Sequence, residues 1–126
     1  MAKVLIIEDD RDLRRGLNIR LRSAGFETVL AEDGVTATMA ARRECPDVIL
    51  LDLGLPAGDG FVLLERFQLL SAVAATPVVV LSGRDPAVAE PRCRALGAFA
   101  FLQKPADDTV LLDTLSAAVA GQPAPV

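Results

Sequence analysis

The sequence predicts a doubly wound α/β fold, in which a five-stranded parallel sheet carries helices on both faces. Short aliphatic runs alternate five times with segments whose apolar residues recur at helical spacing. Runs such as residues 48–51 are apolar at consecutive positions, which is typical of a parallel strand buried on both faces. Five β-α units of this length imply right-handed crossovers, and we expect the strand order 2-1-3-4-5.

The strands follow from the aliphatic runs and their borders. The second run is more polar than the others, as an edge strand would be, and Pro77 introduces the fourth. A Gly- and Pro-rich loop, LGLPAGDG, follows the third strand. Strands are predicted over residues 3–8, 27–31, 47–51, 78–81 and 98–102.

The first three helices are delimited by start and stop signals. The first ends before Gly25, where a helix stop is expected. Asp33 can cap the second helix, which reaches about residue 43, and the third is predicted over residues 61–70.

Two prolines make the fourth helix the least regular. Pro86 and Pro91 both fall in it, and each prefers the first turn of a helix, so we expect a short or kinked helix reaching about residue 96. Asp107 or Asp108 can cap the fifth helix.

Composition and charge indicate one ordinary globular domain. The chain has 126 residues, of which 52% are apolar, and we expect the domain to cover 1–120 with 121–126 as a linker or frayed tail. The net charge is −4 and the arginines of the first helix are interpreted as a solvated face, so we expect no direct nucleic-acid binding. Signal-peptide and membrane-spanning patterns are lacking, so we expect a cytoplasmic location and no membrane contact.

The side-chain inventory excludes several kinds of site. The chain has no histidine, which removes Ser-His-Asp and Cys-His machinery and most zinc sites. Cys45 and Cys93 match no metal-binding spacing and are interpreted as small buried apolar residues.

Five polar side chains stand where predicted strands end. Glu8 and Asp9 follow the first strand, Asp52 the third, Ser82 the fourth and Lys104 the fifth. In open parallel sheets, ligands bind at the carboxyl ends of the strands where the strand order reverses. We therefore expect these five side chains to converge on one edge of the sheet.

The chemistry of this set indicates phosphoryl transfer. Clustered carboxylates without thiolate or imidazole favour a hard divalent cation, and Mg²⁺ is the expected one. Lys104 adds a positive charge and Ser82 a hydroxyl donor. A GxxxxGK[ST] nucleotide cradle is missing, so the nucleophile must be a side chain, and Asp52 is the candidate, giving an aspartyl phosphate. Asp10 is interpreted as the N-cap of the first helix.

From KVLIIEDD to the last helix, the chain resembles a receiver domain of the bacterial response regulators of two-component signalling. The matching segments are IIEDD, DVILLDLGLPAGDG, VVVLSGRD and GAFAFLQKP, in that order. The resemblance implies the flavodoxin-like receiver fold and transfer of a phosphoryl group to Asp52 from a phosphohistidine of a sensor histidine kinase or phosphotransfer protein. It also implies a signalling phosphoacceptor that catalyses only its own phosphorylation and dephosphorylation.

The resemblance also implies a role for each site residue. Asp9 would bind Mg²⁺ directly and Glu8 largely through water. Asp52 would be both ligand and phosphoacceptor, and the backbone carbonyl of Gly54 would complete the protein ligands. Lys104 would pair with the phosphoryl group.

The same resemblance implies a conformational switch. Ser82 would shift toward the phosphoryl oxygens, and Phe101 would turn inward into the space that Ser82 vacates. The alternative is that Phe101 is an ordinary half-buried aromatic residue of a strand. The Lys104–Pro105 bond resembles one that is usually cis. The readout would be the face of helix 4, strand 5 and helix 5, toward an unknown output partner or domain or a phosphorylation-dependent dimer.

The chain departs from the family pattern near the site and on the output face. Gly54 replaces a bulky residue and Gly83 a common alanine, so we expect a more open site with a shorter-lived phosphoryl group. GAFAF replaces an acidic GADDY pattern and Ala106 a common aromatic, so the output partner cannot be transferred from other subfamilies.

Three other functions compete with this interpretation. A haloacid-dehalogenase-type phosphatase needs a second acid where Gly54 stands, and a flavodoxin-like FMN carrier needs a hydroxyl-rich loop and stacking aromatics. Both are excluded. The remaining alternative is a degenerate receiver that acts as a phosphorylation-independent interaction module, although all five site residues are intact.

Overall fold

A computed structural model describes residues 1–54 and 60–125, in which five strands alternate with five helices. The strands are β1 (Lys3–Ile7), β2 (Glu27–Ala31), β3 (Val48–Asp52), β4 (Val78–Ser82) and β5 (Ala100–Gln103). The helices are α1 (Arg11–Ser23), α2 (Gly34–Glu44), α3 (Gly60–Leu69), α4 (Pro86–Ala95) and α5 (Asp108–Ala120). The predicted element order is confirmed; most of the LGLPAGDG loop lies outside the described residues.

The five strands form one parallel sheet in the order β2-β1-β3-β4-β5, as predicted. β1 pairs with both β2 and β3, so the strand order reverses there. The register places Ile7 beside Leu51 and Asp52 beside Leu81. Because all strands are parallel and nearly level, their carboxyl ends form one edge of the sheet.

Two hydrophobic clusters lie on opposite faces of the sheet. In β3, Ile49 and Leu51 belong to one cluster, whereas Val48 and Leu50 belong to the other. All four side chains are at most 1% exposed. Side chains alternate between the faces of a strand, so a strand that is covered on both faces must be apolar throughout. This explains the consecutive aliphatic residues in β3.

Aspartates begin four of the helices. The side chains of Asp10, Asp33, Asp85 and Asp107 accept hydrogen bonds from backbone N–H groups of the first turn of α1, α2, α4 and α5. Such caps satisfy donors that have no partner inside the helix. The predicted caps are therefore confirmed, and Asp107 rather than Asp108 caps α5.

The fourth helix is short and continues through its second proline. Pro86 occupies the first turn and Pro91 lies inside the ten-residue helix. The N–H of Ala98 donates to the Cys93 carbonyl at 2.9 Å and closes the helix end. This explains why β5 starts at Ala100 and not at the predicted residue 98.

The prediction that both cysteines are buried is wrong for one of them. Cys93 is buried, whereas Cys45 is exposed. Cys45 ends α2 with φ +47°, in the left-handed region. Its Sγ lies at the surface, 3.7 Å from the Arg42 carbonyl, and no glycine in the sequence signals the left-handed turn at this place.

The chain end after α5 returns to the domain. Gly121 has φ +70°, and the N–H of Gln122 donates to the Ala117 carbonyl at 3.0 Å. Ala124 is half-buried against the cluster that contains Leu115. No helix among the described residues is long and apolar enough to cross a membrane.

Candidate functional site

Four chain segments meet at the carboxyl edge of the sheet. Asp52 and Ser82 are the last residues of β3 and β4. Glu8 follows β1 and its N–H donates to the Ala31 carbonyl at 3.1 Å, which extends the strand pairing by one residue. The N–H of Lys104 donates to the Ser82 carbonyl at 2.8 Å. The predicted convergence of strand ends is therefore present in the structure.

Three carboxylates cluster at this edge, and a fourth turns away. Glu8, Asp9 and Asp52 each offer an oxygen, and the three oxygens lie within 4.8 Å of one another. Glu8 and Asp52 are buried and Asp9 is exposed. Asp10 Oδ1 instead accepts hydrogen bonds from Asp12 N (2.9 Å) and Leu13 N (3.0 Å). An all-oxygen set that is open on one side suits Mg²⁺, which retains several waters.

The ammonium of Lys104 compensates the two buried acids. Its Nζ lies 2.9 Å from Glu8 Oε1 and 3.2 Å from Asp52 Oδ1. Burial alone would lower the pKa of Lys104, but the hydrogen bond to Glu8 and the charge of Asp52 raise it above its ordinary value. The amine is therefore held in its charged form between the two carboxylates.

Burial raises the pKa of both carboxylates, and their hydrogen bonds then separate the two pKa values. It raises the pKa of Glu8 to about 7, and a hydrogen bond with Asp52 adds to the rise. Burial acts on Asp52 in the same sense, but the hydrogen bonds from Glu8 and from Gly54 N, together with Lys104, lower its pKa below the ordinary value. Two buried acids this close are not readily ionised together, so a cation between them would favour the doubly charged form.

Gly54 leaves one side of the Asp52 carboxylate uncovered. Its N–H donates to Asp52 Oδ1 at 3.1 Å. A Cβ at this position would lie 3.5 and 3.6 Å from the two carboxylate oxygens, in ordinary contact. A Cβ at Gly83 would meet nothing within 4 Å. Only the glycine at position 54 therefore lies against the carboxylate, whereas a Cβ at Gly83 would not reach it.

The two predicted switch residues are both buried. Ser82 is 1% exposed, and its Oγ accepts a hydrogen bond from Arg84 N at 3.0 Å. Phe101 is 9% exposed and packs in the cluster that contains Phe61, so it is not half-buried. The Lys104–Pro105 peptide bond is cis.

Arg14 reaches the acidic segment from α1, a contact that was not predicted from the sequence. Its Nη1 donates to the carbonyls of Glu8 (2.9 Å) and Asp9 (3.3 Å), and its Nη2 lies 4.0 Å from Glu32 Oε2. Its side chain is only 18% exposed, so the interpretation of the arginines as a solvated face is wrong for Arg14. Arg11 and Arg15 also lie near the acids in the sequence, so position along the chain alone does not single out Arg14.

A cavity of about 310 Å³ opens beside the site between α1 and α5. Glu8 and Lys104 lie at one end, and Leu13, Leu111 and Ala106 contribute apolar lining. The small side chain of Ala106 leaves this space free.

The family model for the response regulator receiver domain matches residues 4–116. The chain is 31% identical to protein PilH of Pseudomonas aeruginosa over 121 residues, which cover 96% of this chain and 100% of PilH. It is 38% identical over 105 residues to KdpE of Escherichia coli, the KDP operon transcriptional regulatory protein, covering 83% of this chain and 45% of KdpE. The chain spans about half the length of the transcriptional regulators it matches, from 45% to 58%.

Solved structures give the same result. The chemotaxis protein CheY4 of Vibrio cholerae superposes with a TM-score of 0.87 at 31% identity, covering 94% of this chain and 98% of CheY4. The receiver domain of the sensor histidine kinase PA1611 from Pseudomonas aeruginosa superposes with a TM-score of 0.86 at 25% identity, covering 94% of this chain and 98% of that domain. In that structure a magnesium ion is coordinated in the active site cleft. The strand order, the edge residues and these matches lead to one conclusion: the chain belongs to the response regulator receiver domain family.

Proposed function

We propose that Asp52 accepts a phosphoryl group in a Mg²⁺-dependent reaction and that the chain thereby acts as a phosphorylation switch. The supporting observation is the position of Asp52 at the end of β3, with Lys104 Nζ 3.2 Å from Oδ1 and two further carboxylates beside it. The donor is the phosphohistidine of a sensor histidine kinase or phosphotransfer protein, or a small phosphodonor such as acetyl phosphate.

In the transfer step, a carboxylate oxygen of Asp52 attacks phosphorus. The bond from phosphorus to the imidazole nitrogen of the donor breaks, and the electron pair stays on that nitrogen, so that an aspartyl phosphate and a histidine result. Lys104 Nζ, already beside the acceptor oxygen, pairs with the phosphoryl oxygens as they approach. The Ser82 hydroxyl supplies a further donor.

Glu8, Asp9, Asp52 and the backbone carbonyl of Gly54 would hold Mg²⁺, with Glu8 acting largely through water. The bound ion would neutralise negative charge on the phosphoryl oxygens and align them for in-line transfer. The protein contributes an oxygen-only cluster that is buried on the sheet side and exposed at Asp9.

The readout that we propose is the face formed by α4, β5 and α5. Ser82 would move toward the phosphoryl group, and Phe101 would change its side-chain position in turn. These movements would alter the face that an output partner, an output domain or a second copy of the chain recognises. Support comes from the exposed apolar side chains of α4 and α5, with Val88 73% and Val110 48% exposed. A phosphorylation-independent interaction module is the alternative.

Intact mass after incubation with acetyl phosphate tests this function. We expect one added phosphoryl group that requires Mg²⁺ and is lost in Asp52→Asn. Asp10→Asn is the matched control: it lies beside the acidic cluster but serves as an N-cap, and asparagine caps equally well, so it should be phosphorylated like the wild type. A wild-type chain that gains no phosphoryl group and binds no fluoroberyllate would favour the interaction module.

A further inference from the structure

Two arginines converge on one aromatic ring next to the proposed acceptor. The guanidinium of Arg92, in α4, lies 3.9 Å from the centroid of Phe61. The guanidinium of Arg84, in the segment that joins β4 to α4, lies 5.3 Å from the same centroid. Phe61 is in the first turn of α3 and is 3% exposed. Both cations thus stand near the carboxyl edge of the sheet.

Neither of these guanidiniums has a carboxylate partner among residues 1–54 and 60–125. Within the same helix, Arg94 forms an ion pair with Glu90 at 2.9 Å. Within the part of the chain that the structure describes, the Arg84 guanidinium has two weak partners. Its Nη2 lies 3.5 Å from the Leu53 carbonyl, at the outer limit of a hydrogen bond, and its distance to the ring centroid is near the limit of about 6 Å for such pairs. Arg92 is firmly stacked, whereas Arg84 is held loosely.

The guanidinium of Arg84 contacts the residue that follows the proposed acceptor. Leu53 follows Asp52 directly, so the Arg84 contact lies on the backbone of the acceptor segment. Neither Gly54 nor Gly83 places a side chain near it. The backbone of Arg84 is anchored at the same edge, since its N–H donates to Ser82 Oγ at 3.0 Å. A rotation of this long side chain therefore requires no displacement of the sheet.

The negative charge of the phosphorylated site would favour a second cation. Lys104 is already shared between Glu8 and Asp52 at 2.9 and 3.2 Å. A phosphoryl group on Asp52 would add up to two negative charges and three acceptor oxygens at this place. Guanidinium groups bind phosphoryl oxygens through two parallel hydrogen bonds, which are stronger than a single carbonyl contact at 3.5 Å.

We propose that Arg84 is a second phosphoryl-binding cation, which leaves the Leu53 carbonyl and the Phe61 ring and pairs with the phosphoryl oxygens on Asp52 beside Lys104. The inference rests on the proposed function of Asp52. Arg92 stays on Phe61 and makes no contact with the phosphoryl group. One ring thus carries a fixed cation and a transferable one.

The test is the affinity for fluoroberyllate in the presence of Mg²⁺, measured by fluorine-19 NMR. We expect Arg84→Gln to weaken this affinity by about tenfold, the equivalent of one lost charge-assisted hydrogen bond, and Arg84→Lys to lose less because it keeps the charge. Arg92→Gln, which removes the other cation from the same ring, is the matched control and should bind like the wild type.

Affinity for Mg²⁺ alone, measured by calorimetry, separates direct contact from damage to the site. Removing a positive charge should leave Mg²⁺ binding unchanged or slightly tighter in Arg84→Gln, whereas a distorted site would bind both probes less well. The inference is overturned if Arg84→Gln binds fluoroberyllate like the wild type, if Arg92→Gln weakens it equally, or if Mg²⁺ binding falls in parallel. Failure of the proposed function looks different: the wild type itself would then bind no fluoroberyllate.

Discussion

At the scale of single residues, two glycines determine how open the Asp52 carboxylate is and how closely α3 packs beside it. Gly54 leaves the Asp52 carboxylate uncovered because it has no side chain. A Cβ there would be in ordinary contact with both carboxylate oxygens. Gly60 has the opposite constraint, since a Cβ would lie 2.5 Å from Leu53 Cα and 2.9 Å from the Asp52 carbonyl. The first glycine can be replaced without strain and the second cannot.

Gly54→Met should slow the loss of the phosphoryl group from Asp52. The new side chain would start 3.5 Å from the carboxylate and shield it from attacking water, and we expect the rate to fall by about tenfold, the equivalent of about 1.4 kcal/mol of barrier. Intact mass spectrometry measures this rate, as the decrease over time in the fraction of phosphorylated chain. Gly16→Ala, in α1 with open space around its Cβ, should decay like the wild type. Equal decay of Gly54→Met and wild type would contradict the open-site interpretation.

Gly60→Ala should destabilise the fold. Its Cβ would meet backbone atoms, which cannot move aside cheaply, and we expect the free energy of unfolding in urea to fall by about 1–3 kcal/mol. Gly16→Ala is again the control: it relieves an unfavourable glycine inside a helix and should raise the free energy of unfolding by about 0.5–1 kcal/mol. A Gly60→Ala chain as stable as the wild type would show that α3 can shift away from β3.

At the scale of elements, α1 and α4 each carry a residue whose effect depends on its place in the helix. Arg14 is directed toward the acidic segment at the end of β1, where it holds two carbonyls. Pro91 is an exposed residue inside α4, where it donates no N–H to the Ala87 carbonyl. We expect Arg14 to fix the backbone geometry of the site, and Pro91 to weaken a helix that belongs to the proposed readout face.

Arg14→Met should weaken Mg²⁺ binding. Charge alone predicts tighter binding when a cation near an acidic cluster is removed, so weaker binding would identify the role of Arg14 as positioning the backbone of Glu8 and Asp9. Calorimetry measures the affinity, and we expect a loss of about tenfold. Arg22→Met, at the exposed end of the same helix, should have no effect. Unchanged or tighter binding in Arg14→Met would refute the positioning role.

Pro91→Ala should stabilise the chain. Alanine supplies the helical N–H donor that proline lacks and has a much higher helix propensity, so we expect a gain of about 1–3 kcal/mol in the free energy of unfolding. Pro86→Ala is the control, because proline is well tolerated in the first turn, and it should change stability little. If both variants behave alike in urea, α4 has already adapted to Pro91.

At the scale of the whole molecule, the sequence predicted the parts that depend on periodicity and capping. Aliphatic runs located the strands, and the topology then brought Glu8, Asp52, Ser82 and Lys104 to one edge. Arg14 could not be distinguished, because α1 carries several arginines and only the packing of that helix decides which one faces the acids. Cys45 was misassigned because the left-handed turn that exposes it has no glycine as a signal.

Mg²⁺ should stabilise the folded chain as a whole. A ligand that binds only the folded state stabilises it by about 2.7 kcal/mol at a concentration one hundred times its Kd. We expect the thermal unfolding midpoint to rise with Mg²⁺ in the wild type and in Asp10→Asn, and to stay constant in Asp9→Asn, which lacks one carboxylate of the cluster. A midpoint that rises equally in Asp9→Asn would place the ion elsewhere.

The bridge from Lys104 to Glu8 joins positions 96 residues apart, near the two ends of the domain. During synthesis, a nascent chain acquires Glu8 and Asp52 long before β5 emerges. Until then the two acids lack the cation that offsets their repulsion, so the carboxylate cluster of an unfinished chain is incomplete. The proposed phosphoryl transfer, which uses Lys104 beside Asp52, would therefore require that β5 is in place.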